Sequence, residues 1–365
     1  MNKATFLHKM LEAFYRMAHQ GTQDNYDYVR YSYDGVDRSA GIDTGKHAAY
    51  LAYFVQQHAG FHTTWSRFAD DASRQLFTQL ILYRLLGHLH VQIFPDLNWA
   101  QEQTLAAQVA PFHRGVSELP TSGLLGQIQH YEDLPFLGKK LSLDLWWANI
   151  AYTFLKRSYF FARDGICIQP EAGDYVIDAG TCFGDTAVAF ACAVGEQGAV
   201  YSFDPLPQHL AAAELNARQN GFSNIHLYPW AVSDTTTDLK RTISTTSPDA
   251  APGFCIAGNE HILPMVTLDD FVRSAQQQGH APRIDFIKMD IEGSELAALK
   301  GARHLIQTYR PKLAISLYHR NEDFVDIPAF IAKEFPFYDF YLDHYTIHAE
   351  ETVLFCKPRD CSPMR

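Results

Sequence analysis

The chain has 365 residues, 47% of them hydrophobic and 13% aromatic, enough for one large domain or two ordinary ones around a sizeable core. A net charge of -11 gives no electrostatic reason to expect nucleic acid or anionic lipid as partner, and a small-molecule ligand or a neutral acceptor fits better. The six cysteines form no CxxC pair, which excludes a zinc ribbon and a small disulfide scaffold.

The opening "MNKATFLHKMLEAFYRMAHQ" mixes charges into a helical pattern and shows no signal-peptide core. No run reaches the roughly 18 apolar residues a membrane helix needs, so the expected location is the cytoplasm, with no membrane partner. "FLHKMLEAFYRMA", "KHAAYLAYFVQQ" and "SRQLFTQLILYRLLGHL" carry apolar residues three and four apart and predict helices. Between Phe94 and Lys140, prolines and glycines in "FPDLNW", "ELPTSGLLG" and "DLPFLGKK" predict loops and short helices. Residues 1–160 are therefore expected to form a mainly helical region, a candidate cap on the acceptor side, and residues 161–365 a second domain. In the first region Trp65, Trp99, Trp146 and Trp147 offer either a sugar-stacking wall or plain core.

After Gly173 the texture changes to short strand-like runs separated by helical stretches: "YVIDAG", "AVYSFD", "IHLYPWAV", "IDFIKMD" and "KLAISLYH". That alternation predicts βαβ units and a mainly parallel sheet. "YDFYLDHY" and "TVLFCK" close the chain as an expected antiparallel hairpin.

The stretch "DAGTCFGDT", Asp178 to Thr186, lies at a strand-to-helix corner, where open α/β sheets bind ligands. Gly180 and Gly184 match neither the dinucleotide GxGxxG nor a Walker loop, and no lysine stands ready for a phosphate chain. The acids Asp178, Asp185 and Asp204 suit a ligand with an ammonium group, a sulfonium and a ribose. S-adenosyl-L-methionine has all three. Asp204 ends the next strand 24 residues beyond Gly180, where an acid can accept from ribose hydroxyls, with Leu206 placed to pack on adenine. The alternatives are a purely structural turn, an NAD-dependent oxidoreductase, which also wants the ribose acid, and a catalytically silent ligand-binding protein.

At the fourth strand "IDFIKMDIEGSE" brings Asp290, Glu292 and Glu295 to the carboxyl edge. Asp290 is read as facing the methyl donor, Glu292 the acceptor, and Glu295 as opening a helix, where the dipole favours an acid. Asp290, Glu292 and His319 could ligate magnesium or manganese, but no spacing compels a metal, and none is assigned. His319, after the strand "KLAISLYH", is the candidate general base.

From about Tyr159 to Cys356 the sequence resembles the FkbM family of S-adenosylmethionine-dependent methyltransferases. The resemblance rests on "YVIDAGTCFGDT", "VYSFDPLP", "WAVSD", "VTLDDF", "FIKMDIEGSELAALKGA" and the tail "YHRNEDFVDIPAFI … FYLDHY … ETVLFC". It implies an α/β, Rossmann-like class I methyltransferase fold, a seven-stranded, mostly parallel sheet with a C-terminal antiparallel hairpin, and transfer of methyl to a hydroxyl oxygen of a polyketide or saccharide. The residues read as cofactor-binding on this fold are Asp178, Gly180, Thr181, Phe183, Gly184, Asp185, Thr186, Asp204, Pro205, Leu206, Trp230, Ala231 and Asp290, with His319, Asp290 and Glu292 read as catalytic. Where related folds place an acid for the adenine amino group, this sequence has Trp230 and Ala231, so adenine is left to backbone groups and an aromatic wall.

Overall fold

The computed structural model describes residues 1–20, 44–94, 99–119, 122–123, 126–241, 261–277 and 283–359. Two compact units make up the chain: Met1–Leu105 with Leu317–Leu354, and Ala106–Ser316 with Phe355–Arg365. The division expected from the sequence lies between residues 160 and 161. Cys255 and Cys361 lie outside the described residues, and Cys167, Cys182, Cys192 and Cys356 are free thiols.

In chain order the larger elements are α1 (Lys3–Ala18), α2 (Thr44–Arg67), α3 (Asp71–Leu86) and α4 (Trp99–Val109), followed by β1 (Tyr175–Ala179), α5 (Asp185–Val194), β2 (Ala199–Phe203), α6 (Pro207–Gln219) and β3 (Ile225–Tyr228). Then come α7 (Leu268–Gln277), β4 (Phe286–Met289), α8 (Glu295–Lys300), α9 (Arg303–Tyr309), β5 (Lys312–Ser316), α10 (Asp323–Glu334), β6 (Tyr338–His344) and β7 (Thr352–Pro358). The main sheet has the order β3-β2-β1-β4-β5-β7-β6. Among the described residues no helix is long and apolar enough to cross a membrane.

In the first unit each of the three runs with helical periodicity lies in a helix, although α2 continues ten residues past "KHAAYLAYFVQQ" and α3 stops before the Gly87–Leu89 end of its run. Asn2 and Asp70 cap α1 and α3, accepting from the amides of Thr5 and Ser73. Phe61, Phe68, Phe77 and Phe324 interlock at centroid separations of 5.3 to 6.2 Å, joining α2 and α3 to α10. Leu342 N donates to Ser73 Oγ at 2.9 Å, so β6 is fastened to α3.

In the second unit β3, β2, β1, β4 and β5 pair in parallel. Each of β1, β2, β4 and β5 is buried along most or all of its length, as expected of parallel strands covered on both faces. Phe190 of α5 packs on Phe286 at 5.6 Å. On the opposite face Phe271 of α7 meets Phe203 and Tyr228 edge-on, each at 4.9 Å.

Two readings of the sequence are corrected here. "IHLYPWAV" is not one strand. The ladder stops at Tyr228, because Pro229 has no amide to donate, and Ala231–Val232 pairs instead with Met265–Val266 in a separate three-stranded sheet. The stretch read as loops and short helices holds α4 and an antiparallel sheet of His113–Val116, Gln129–Phe136 and Lys139–Leu145. Its hairpin turns at Leu137 and Gly138, both at positive φ (46° and 79°), the dihedral pattern of a two-residue type I′ loop. Leucine in place of asparagine or aspartate hid that turn.

Candidate functional site

The glycine corner lies wholly in the second unit, between β1 and α5. Gly180 and Gly184 both sit at φ 83°, and Cys182 between them at 47°. The amides of Gly180 and Thr181 donate to the Phe203 carbonyl at 2.9 and 3.1 Å, binding the turn to the end of β2. A Cβ on Gly180 would lie 1.8 Å from the Asp290 carbonyl oxygen, and one on Gly184 would lie 2.8 Å from Ala213 of α6. Both glycines are thus demanded by backbone conformation and close packing within the protein. They shape the corner whether or not a ligand occupies it.

The acids of the corner are mostly spent on one another's neighbours. Asp178, with no exposed surface, accepts from Thr186 Oγ1 at 2.9 and 3.0 Å and from Ser202 Oγ at 3.3 Å, and pairs with Lys288 Nζ at 3.2 Å. Asp185 accepts from Thr153 Oγ1 at 2.5 Å and Asn149 Nδ2 at 3.4 Å. Burial pushes the Asp185 carboxyl above its ordinary range, against the pull of those hydrogen bonds and of Lys288. Burial also pushes the Cys182 thiol well up, with help from Asp185 and Asp204, which makes it a poor nucleophile. Phe183 and Leu206 are core: Phe183 stands edge-on to Trp146 at 4.8 Å and to His209 at 5.0 Å.

Asp204 directly follows β2, at the strand tip where the sequence places it, but its carboxylate is engaged. Oδ1 accepts from Leu206 N at 2.9 Å, Oδ2 accepts from Cys182 N at 3.0 Å, and His209 Nδ1 lies 3.0 Å from Oδ2. A carboxylate offers about four lone-pair sites, so one is left for a ligand hydroxyl. Asp204→Ala is expected to lower the unfolding free energy by about 2 to 6 kcal/mol, since it leaves the amides of Leu206 and Cys182 unpaired at roughly 1 to 3 kcal/mol each. Urea unfolding within about 0.5 kcal/mol of the native chain would show that this carboxylate does not hold the corner.

What remains partly exposed forms a strip along the carboxyl edge: Trp230 and Ala231, then Pro205, Gly180 and Cys182, then Asp290 and Ile291, with Glu292 exposed beside them, its backbone at φ 55°. Trp230 stacks on Tyr228 at 5.1 Å and 27°, giving one end of the strip an aromatic wall. At the other end Asp290 receives the Tyr159 hydroxyl on Oδ2 at 2.9 Å. Thr181 Oγ1 is buried at the corner and makes no hydrogen bond among the described residues, a hydroxyl with unmet capacity beside the strip. Glu295 opens α8, and its Oε1 accepts from Ile291 N at 2.8 Å and Gly293 N at 3.4 Å, so it holds the loop that carries Glu292.

His319 belongs to the first unit, three residues beyond β5, its ring 4.1 Å from that of Tyr318. Trp65 stacks on His62 at 6.1 Å and 24° and carries the Arg74 guanidinium 5.7 Å from its ring, while Trp146 is buried. Those two are occupied by protein groups, Trp147 is half-buried, and the Trp99 side chain lies outside the described residues. Sequence reasoning missed Tyr159, His209 and Lys288. Only Lys288 left a signal, as a charge inside the apolar run "FIKM".

Residues 178–344 match the sequence model of the methyltransferase FkbM domain, the family the motifs resemble. Among solved structures, a methyltransferase FkbM from Methylobacillus flagellatus KT aligns at 21% identity and TM-score 0.53, over 84% of this chain and 60% of that one. The chain thus spans about three fifths of that neighbour's length, and the two share a Rossmann-like methyltransferase fold. Aeropyrum pernix fibrillarin in complex with natively bound S-adenosyl-L-methionine aligns at 10% identity and TM-score 0.38, over 64% of this chain and 90% of that one. An O-methyltransferase from Bacillus cereus in complex with SAH aligns at 12% identity and TM-score 0.34, over 50% and 73%. No curated protein matches the sequence at significant similarity.

Proposed function

We propose that the chain is an S-adenosylmethionine-dependent methyltransferase that methylates a hydroxyl oxygen of a saccharide or related natural-product acceptor. The observation that carries this reading is the half-exposed strip from Trp230 to Asp290, along the carboxyl edge of a sheet whose residues 178–344 match the FkbM domain. Its chemistry fits the donor in order: an aromatic wall at Trp230 and Ala231 for adenine, the remaining lone pair of Asp204 beside Pro205 for the ribose, and the turn Gly180–Thr181 with Asp290 for the cationic amino-acid end. The buried Thr181 hydroxyl adds a polar group with capacity to spare. When bound, the donor supplies a methyl on sulfonium for in-line displacement by an oxygen nucleophile.

The chain's part is to hold the reactants in line and to take the hydroxyl proton. Alignment alone is worth up to about 7 to 11 kcal/mol in favourable cases. His319 is assigned as the base and Glu292, exposed at the rim, as the group facing the acceptor. Residues outside the FkbM match are assigned to acceptor choice.

Thermal unfolding with S-adenosylhomocysteine, with NAD and with neither tests the reading. A ligand at 100 times its dissociation constant stabilises by about 2.7 kcal/mol, which raises the unfolding temperature by a few degrees. Stabilisation by S-adenosylhomocysteine alone is the expected result. Stabilisation by NAD, or by neither ligand at millimolar concentration, would overturn it.

A further inference from the structure

Lys288 occupies the middle of β4, where every residue of "FIKM" is buried, and keeps only 1% of its surface. An ammonium taken out of water is costly unless paired, and apolar residues of similar volume often serve a core as well or better than a buried ion pair. Packing alone therefore does not account for a lysine at this position. Its contacts are specific. Nζ donates to the Gly180 carbonyl at 2.5 Å, lies 3.2 Å from Asp178 Oδ1, and sits 5.4 Å from the ring centre of Tyr159. Burial works to lower its pKa, but Asp178, Asp290 and Asp185 outweigh burial and raise it, so the ammonium stays charged.

Tyr159 completes the arrangement from outside the FkbM match. It is 3% exposed, stands edge-on to Phe190 at 6.4 Å, and gives its hydroxyl to Asp290 Oδ2 at 2.9 Å. Asp290 is held by its backbone as well, since its amide donates to the Ala179 carbonyl at 3.1 Å. Lysine and tyrosine thus fix the Gly180 turn and the Asp290 carboxylate, two features at the same end of the strip.

We propose that Lys288 and Tyr159 are positioning residues for the amino-acid end of the methyl donor, Lys288 by clamping the Gly180 turn to Asp178 and Tyr159 by aiming the Asp290 carboxylate. The proposal rests on the donor assigned above. It predicts that damage to either residue is felt by a ligand with an amino-acid end and not by one without it.

Calorimetric titration of the full chain with S-adenosylhomocysteine and with 5′-methylthioadenosine, which lacks the ammonium and carboxylate, separates the cases. Tyr159→Phe should weaken S-adenosylhomocysteine about tenfold or more, the scale of a hydrogen bond to a charged group, and shift 5′-methylthioadenosine less than about twofold. Lys288→Met is best made together with Asp178→Asn, so that no single charge stays buried, and should give the same split. Equal loss of both ligands, or loss of neither, would overturn the positioning role and leave the donor assignment standing. A native chain that binds neither ligand would overturn the donor assignment, and the positioning role with it.

Discussion

Replacing Gly180 with alanine is expected to cost about 2 to 5 kcal/mol of stability and to abolish donor binding. Two effects add at this position. A left-handed backbone costs a residue with a Cβ roughly 1 to 2 kcal/mol, and overpacking of a tight contact costs roughly 1 to 3 kcal/mol. At φ 83° with the Asp290 carbonyl oxygen 1.8 Å from the added carbon, both apply in full. The obstacle is backbone, so no rotamer relieves it, and the Asp290 strand end is itself tied to Ala179. Urea unfolding followed by circular dichroism, with a parallel titration of S-adenosylhomocysteine, checks the result. A loss below about 1 kcal/mol with unchanged affinity would mean that β1 and β4 can separate at their ends without consequence.

His319→Ala should lower the rate of methyl transfer about 100-fold or more, the usual scale for a general base, while S-adenosylhomocysteine affinity stays within about twofold of the native value. An unperturbed imidazole has a pKa of about 6.5 and can take a proton near neutral pH. His319 follows β5 in the chain where apolar residues give way to the polar run Arg320 to Asp323. Steady-state rates at saturating acceptor, with donor binding measured separately, decide the role. Normal turnover, or lost donor binding, would remove the histidine from the chemistry and direct attention to Glu292, which is exposed at the rim.

How much could be read in the sequence followed from the range of the forces involved. The runs "YVIDAG", "AVYSFD", "IDFIKMD" and "KLAISLYH" all contain strands of the main sheet, because strands buried on both faces must be apolar throughout. Asp204 could be placed at a strand tip by counting, and it is there. Its partners could not be counted, because Cys182 N, Leu206 N and His209 reach it only after the chain has turned twice. The same holds for Asp178 and Lys288, 110 positions apart in the sequence and 3.2 Å apart in space. An acid near a glycine turn reads as ligand-facing, yet Asp178 and Asp185 satisfy buried protein donors, and of the three strand-tip acids Asp290 keeps the most surface. The hairpin from Gln129 to Leu145 was missed for a local reason, a leucine at a position whose backbone favours asparagine or glycine.

The first unit is assembled from two distant parts of the chain, and this orders events during synthesis. Residues of α2 and α3 bury themselves against Phe324, Val325 and Phe340: Gly60 approaches Val325 so closely that an added Cβ would lie 2.5 Å from its Cγ1, and Ala69 N donates to the Phe340 carbonyl at 2.8 Å. More than 200 residues of chain separate those surfaces, so their contacts carry a large closure entropy and form late. The intervening parallel strands β1 to β5 leave the ribosome together and can pair first. Until Leu317–Leu354 emerges, the earliest helices have only one another to cover their apolar stripes, and the faces that meet Phe324, Val325 and Phe340 stay open to non-native contacts.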